Sequence, residues 1–242
     1  MTIAQLDPKQ TEHTPSDIPI GRQVTLEIIS VKKFQGRNFT YEELILSKVY
    51  QEAHIQMQSL ALRFKLHPLT VEDCLHRNQR VKIESFSEYQ FIVWYYFHQS
   101  IPEPIELHII LGKDFMLLIS NDLPRHMADS WKTLCFPQGQ SIYLFDAICQ
   151  MFETLNQHAE FYVNAVEYSL AKLEKKIMNQ YVKPTQILRF KYLVWEMDQT
   201  ICLAGIIFHN LDKLGFSTDQ RFKWRNVIDN HSRLLENINH VR

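Results

Sequence analysis

The chain has 242 residues, 45% of them hydrophobic and 22% charged, with a formal net charge of -1. That length buries one large core or two modest ones, and the near-neutral balance argues against a nucleic-acid partner, which selects a strongly basic face. The four cysteines (Cys74, Cys135, Cys149, Cys202) are scattered with no C-x-x-C pair, so they read as reduced, mostly buried thiols rather than a zinc ribbon or a redox site.

Residues 1–20 hold three prolines and no periodicity, and are expected to form a disordered tail. No basic start followed by an apolar run marks a secretory signal. Val24 to Lys32 reads as a strand and Gly36-Arg37-Asn38 as a turn. From Thr40, the positions Leu44, Val49, Ile55, Leu60 and Leu62 predict a long amphipathic helix, or a broken pair, ending near Phe64.

His67-Pro68 predicts a helix start, because proline has no N–H to lose at the first helical position. That helix runs to His76, with Glu72 and Asp73 about one turn in. Asn78-Gln79-Arg80 breaks the pattern. Lys82 to Phe97 then gives two β-branched and aromatic runs around Ser85-Phe86-Ser87-Glu88. Pro102-Glu103-Pro104 marks a turn, and Glu106–Leu111 and Phe115–Ser120 predict a hairpin over Gly112-Lys113-Asp114. Leu123 to Leu134 predicts a helix, and residues 136–140 a domain boundary, dividing an α/β domain (21–138) from a helical region (139–242).

Beyond the boundary the periodicity is helical. Apolar or small residues recur at 148, 152, 155, 159, 162, 166, 170, 173 and 177, a stripe that Pro184 is expected to end. A second stripe runs Ile187, Phe190, Val194, Met197, Ile201, Ala204, Phe208, Leu211, and a third Trp224, Val227, His231, Leu234, Ile238, Val241. Such unbroken heptads predict coiled-coil-like packing. At 1.5 Å per residue the first helix is on the order of 55 Å long, too long for the α/β domain to cover, so it must pair with the second helix as a hairpin or with another subunit. The longest uninterrupted apolar stretch, Phe91 to Phe97, is far short of the ~20 residues that span a membrane.

The wording H-P-L-x-x-E-D, a gap, Q-R-x-K-x-E-x-F and then an aromatic strand falls here on His67, Pro68, Leu69, Glu72, Asp73, Gln79, Arg80, Lys82, Glu84 and Phe86. It resembles the cytoplasmic domain of CorA-type divalent-cation transporters, over roughly residues 60–242. The resemblance implies an α+β/α architecture: a mixed α/β domain, a long antiparallel helical hairpin, and the start of a stalk helix leading to a membrane part beyond Arg242. The family's G-M-N pore signature is absent from these residues. It further implies a homopentamer on the cytoplasmic face of the inner membrane, holding Mg²⁺, or Co²⁺ or Zn²⁺.

Asp73 matches the family's acidic position facing a neighbouring subunit's stalk helix. Mg²⁺ prefers one or two carboxylates and retained waters, which suits a site shared between subunits, with Glu72 adjacent. Glu72 and Asp73 also read simply as carboxylates near the positive end of a helix dipole. At the stalk start the family pattern F-R-D-V-x-D reads Trp224-Arg225-Asn226-Val227-Ile228-Asp229. Asn226 replaces the first aspartate, which removes a compensating charge, and Asp229 lies on nearly the same face. At the hairpin tip, where many members are acidic, stand Lys172, Lys175, Lys176 and Lys183 with Glu174. They read as a solvated mixed-charge face or as a basic tip suited to anionic lipid or another subunit's carboxylates.

No nucleophile–base pair stands out by spacing, and Cys74-Leu75-His76 is a step that separates the two side chains on a helix, so no enzyme is expected. The function implied is a cytosolic metal-sensing and gating domain of a Mg²⁺/Co²⁺ transporter. The alternatives are a zinc-transporting member of the same superfamily and a soluble coiled-coil interaction module.

Overall fold

The computed structural model describes residues 31–35, 39–97, 104–120, 143–179, 182–211 and 217–241. Its strands are β1 (Val31–Gln35), β2 (Thr40–Ile45), β3 (Lys82–Ser85), β4 (Tyr89–Tyr96), β5 (Ile105–Gly112) and β6 (Phe115–Ser120). Its helices are α1 (Tyr50–Phe64), α2 (Pro68–Leu75), α3 (Leu144–Asn179), α4 (Pro184–Leu211) and α5 (Thr218–Val241). The expected tail at 1–20, residues 24–30 of the predicted strand, the turns at 36–38 and 102–103, the helix at 123–134 and the boundary at 136–140 lie outside the described residues.

The strands form one six-stranded sheet in the order β1-β2-β6-β5-β4-β3. Every pairing is antiparallel except β2 with β6, where Thr40–Ile45 runs parallel to Phe115–Ser120. Side chains alternate between faces along a strand, and the central strands are apolar on both. Phe91, Val93, Ile110, Leu117 and Ile119 meet Ala53, Met57, Leu60 and Cys74 of α1 and α2. Ile92, Trp94, Leu107, Ile109 and Leu118 point the other way and meet α3, α4 and α5 through Phe152, Phe208 and Trp224. The result is three layers: two short helices, a sheet, and three long helices.

Two predicted elements are corrected. Thr40–Ile45 is a strand, not the start of a helix. Two carboxylates of this strand, Glu42 and Glu43, are buried. Two contacts make this tolerable: Arg63 of α1 pairs with Glu42, and Tyr41 of the same strand donates to Glu43 at 3.3 Å. The helix that follows does end at Phe64, but it buries Ala53, Met57 and Leu60 and exposes Ile55 and Leu62, and Val49, just before it, is exposed too. Second, α3 already ends at Asn179, and Pro184 opens α4 instead of closing α3, using a position where its missing N–H costs nothing.

The two long helices do not simply zip together. α5 packs against both α3 and α4. Asp146, Asn156 and Glu160 along α3 meet Lys223, Val227 and Arg233 in the same order along α5, so those helices run parallel. Ile201 and Phe208 of α4 contact His231 and Trp224 of α5 in reverse order. The outer half of this layer is an apolar cluster containing Tyr162, Val163 and Val166, Val194 and Met197, and Leu234 and Ile238. Past Val166 the α3 stripe fades to half-buried at Leu170 and Leu173 and exposed at Ile177. No helix among the described residues is long and apolar enough to cross a membrane.

Candidate functional site

The motif-bearing segment between α2 and β4 is held by a dense local network. The His67 Nδ1 accepts from the Leu69 N–H (3.2 Å), capping a helix whose first residue is Pro68. The His67 N–H donates to Tyr89 Oη at 2.9 Å, and that hydroxyl lies 2.7 Å from Thr70 Oγ1. The Phe86 ring lies between the His67 and Tyr89 rings, with centroids at 5.2 and 4.8 Å. His67, Thr70, Phe86 and Tyr89 thus bind the start of α2 to the β3–β4 turn.

At the other end of α2 the chain turns through Asn78 in the left-handed region (φ 65°). The N–H groups of Asn78 and Gln79 donate to Glu106 Oε2 at 2.7 and 3.2 Å, and Tyr95 Oη donates to the Gln79 carbonyl at 2.7 Å. The second oxygen of Glu106 is 2.8 Å from His108 Nε2. No local signal marks Glu106, because its role is fixed by strand pairing far along the chain.

Asp73 and Lys82 form the centre of the site. The Lys82 ammonium donates to Asp73 Oδ2 (2.7 Å) and Glu84 Oε1 (2.8 Å) and lies 5.6 Å from the Phe91 ring centroid. Burial alone would lower the Lys82 pKa, but the hydrogen bonds and charges of Asp73 and Glu84 outweigh it and raise it. The Asp73 carboxylate keeps 22% of its side-chain surface exposed. One oxygen of it is therefore oriented by a lysine, and a minor part of the carboxylate reaches the surface. Glu72 is exposed, and its carbonyl accepts from the His76 N–H and Nδ1 at 3.0 and 2.8 Å. The Cys74 thiol is driven well above its ordinary pKa by burial, with Asp73 and Glu106 adding to the effect, so it is a packed thiol and no nucleophile.

Asn226 and Asp229 are exposed on α5, opposite the face that buries Trp224, Val227 and His231. α2 covers one face of the sheet and α5 the other. A single chain therefore does not bring Glu72 and Asp73 to Asn226 and Asp229. Among the described residues no group of three His, Cys, Asp or Glu side chains is gathered as a metal site.

The family model described as "CorA-like Mg2+ transporter protein" matches residues 44–193, more than half of the chain. The chain belongs to the CorA-like Mg²⁺ transporter family. Its fold is also that of solved CorA-type domains. The soluble domain of CorA from Methanocaldococcus jannaschii superposes with a TM-score of 0.70 at 10% identity, covering 84% of this chain and 83% of that one. The ZntB cytoplasmic domain from Vibrio parahaemolyticus gives 0.65 at 12% identity, covering 86% and 83%. The complete CorA magnesium transporter from M. jannaschii gives 0.67 at 12% identity, covering 86% of this chain and 67% of the transporter. No curated protein matches the chain. In this CorA-like chain the wording around α2 is largely architectural: eight hydrogen bonds and ring contacts fasten α2, the β3–β4 turn, β4 and β5 to one another, with Asp73 partly exposed beside Lys82.

Proposed function

We propose that this chain is the cytosolic metal-sensing and gating domain of a CorA-like transporter of Mg²⁺ and Co²⁺, acting as a homopentamer at the inner membrane through a segment beyond Arg242. The observation that carries the reading is the family match together with Asp73, an oriented and partly open carboxylate within the matched residues. Carboxylate and amide oxygens are the donors a hard divalent cation takes. Asp73, with Glu72 beside it, would face Asp229 and Asn226 of a neighbouring subunit, so that two sparse donor pairs make one site.

In the absence of the ion, Lys82 neutralises Asp73. With the ion bound, Asp73 carries a stronger cation and Lys82 keeps Glu84 as its partner. A ligand stabilises the state it binds by about 2.7 kcal/mol at a hundred times its dissociation constant. Several such sites around a ring exceed the few kcal/mol that separate two packings of subunits. When the ion leaves, the bridge between subunits is lost, Lys82 takes Asp73 back as its partner, and the subunits loosen.

Millimolar Mg²⁺ is expected to raise the melting temperature of the chain or drive its association. Asp73→Ala should abolish the response. Lys82→Met removes the same ion pair but leaves the oxygen ligand, so it should keep the response or strengthen it. Equal loss in both variants would mean that the ion pair, and not metal binding, is what matters. The fold shared with a ZntB cytoplasmic domain favours one rival, a zinc transporter. A response to micromolar Zn²⁺ without one to Mg²⁺ would select it.

A further inference from the structure

The outer end of the α3–α4 pair carries a surface that metal sensing does not use. Between residues 167 and 196 six cations (Lys172, Lys175, Lys176, Lys183, Arg189, Lys191) face three carboxylates (Glu167, Glu174, Glu196), a local charge of +3 on a chain whose total is -1. Past Val166 on α3 and before Val194 on α4 only Val182 is buried among the described residues, so this end stands clear of the core. Roughly 13 residues of α3 protrude, about 20 Å of helix. Among the described residues Lys172, Lys176 and Arg189 have no carboxylate partner, and the Lys172 ammonium lies 4.3 Å from the Tyr168 ring centroid.

Large apolar side chains are exposed among these cations. Met178 is 86% exposed, and Tyr168, Leu188 and Tyr192 are each about two-thirds exposed. Leu188, Tyr192 and Trp195 follow one another at four and three residues along α4, a stripe with no cover, and the last two rings touch at 5.7 Å. Between the helices, and reaching back to Asn78, Tyr95 and Pro104 at the sheet, is an open cleft of about 900 Å³. Lys172, Lys176 and Arg189 line it together with Leu173, Phe190 and Leu193.

We infer that this tip is a docking surface for an anionic phospholipid bilayer, with Lys172, Lys176 and Arg189 taking lipid phosphates and the exposed Met178, Leu188 and aromatic rings entering the interfacial layer. Charge complementarity selects the occupant. Basic residues flanking an irregular apolar surface are what an anionic leaflet holds, at about 1 kcal/mol per Lys or Arg near the surface. Tyrosine and tryptophan favour the same depth. A protein partner would need carboxylates matched one by one to six cations on two helices, whereas a fluid leaflet supplies phosphates wherever the cations fall. The inference goes beyond the sensing reading and stands on different residues.

The test is co-sedimentation of the 242-residue chain with vesicles of 30% phosphatidylglycerol in phosphatidylcholine, against pure phosphatidylcholine. Binding is expected only to the anionic vesicles, to weaken sharply between 50 and 500 mM NaCl as screening shortens, and to resist millimolar inorganic phosphate. The variant Lys172→Gln/Lys176→Gln/Arg189→Gln should lose about a hundredfold in partition, near fivefold per charge, with unchanged helical circular dichroism. Met178→Ser/Leu188→Ser should weaken binding with the charge intact. Equal binding to both vesicle types, no binding to either, or wild-type partition by the triple variant would overturn the proposal. So would salt-sensitive self-association through the same cations in place of vesicle binding. Because the sensing reading is tested at Asp73 with metal, either proposal can fail while the other stands.

Discussion

Replacing Trp224 by alanine is expected to destabilise the chain by about 3–5 kcal/mol. This indole is fully buried where α5 enters the core shared with the sheet. Its ring meets those of Phe152 and Phe208 at centroid distances of 5.8 and 5.6 Å, and its Nε1–H donates to the Phe208 carbonyl at 3.3 Å. Alanine would leave a cavity bounded by three helices that cannot all collapse into it, and would strand one carbonyl. At this chain length the loss corresponds to a fall in melting temperature of about 10 °C. Phe222→Ala, two residues earlier on the same helix and 64% exposed, is the control and should change stability by less than about 0.5 kcal/mol. Similar effects of the two substitutions would mean that α5 is not seated as described.

Stability should also fall as the pH drops from about 6.5 to about 4, by about 3 kcal/mol from a single side chain. His231 is buried on α5, under Phe208 (centroids 4.7 Å) and Trp94 (6.4 Å). Its Nε2–H donates to the Ile201 carbonyl at 3.1 Å, and its Nδ1 lies 3.2 Å from the Asn156 side chain. Burial drives the imidazole down to about 4, and the hydrogen bond to Ile201 offsets only part of this. The folded pKa lies below the unfolded one, so the unfolded chain binds the proton first. The stabilising effect of the neutral ring is complete above about pH 6.5 and is lost as the pH falls toward 4. Urea titrations at pH 7.5, 5.5 and 4.5 on the wild type and on His231→Leu should give a difference curve confined to that window. A flat difference would place His231 in contact with solvent. These groups also matter for architecture, since Asn156 donates to the Val227 carbonyl and His231 to the Ile201 carbonyl, joining α3 to α5 and α5 to α4.

The parts of the fold legible in the sequence are those that local chemistry fixes. Pro68 starts α2 because a prolyl nitrogen suits the first turn. β3 and β4 are separated by Ser85-Phe86-Ser87-Glu88, and β5 and β6 turn over Gly112-Lys113-Asp114, much as aromatic and β-branched runs between turn residues require. The third stripe is buried at each of Trp224, Val227, His231, Leu234 and Ile238, because a 3–4 spacing admits one buried face on a helix. Asp73 and Lys82 were visible as motif positions, but nothing in their spacing says that they touch. Nor does anything local say that Glu106 closes the loop at Asn78, because that contact exists only once β4 and β5 have paired.

By itself, then, the sequence determined the helices of the second half, the two hairpins, the family wording, and through it the kind of fold. Only the tertiary structure decided where those elements face. It placed β2 inside the sheet, because the parallel ladder with β6 and the reach of Arg63 to Glu42 outweigh the helical look of Thr40 to Ile45. It set α2 and α5 on opposite faces of the sheet, separating Asp73 from Asp229 within one chain. The physical reason is the same in both cases. Periodicity reports which side of an element is buried, whereas the hydrogen bonds and ion pairs that choose its neighbour join residues tens of positions apart.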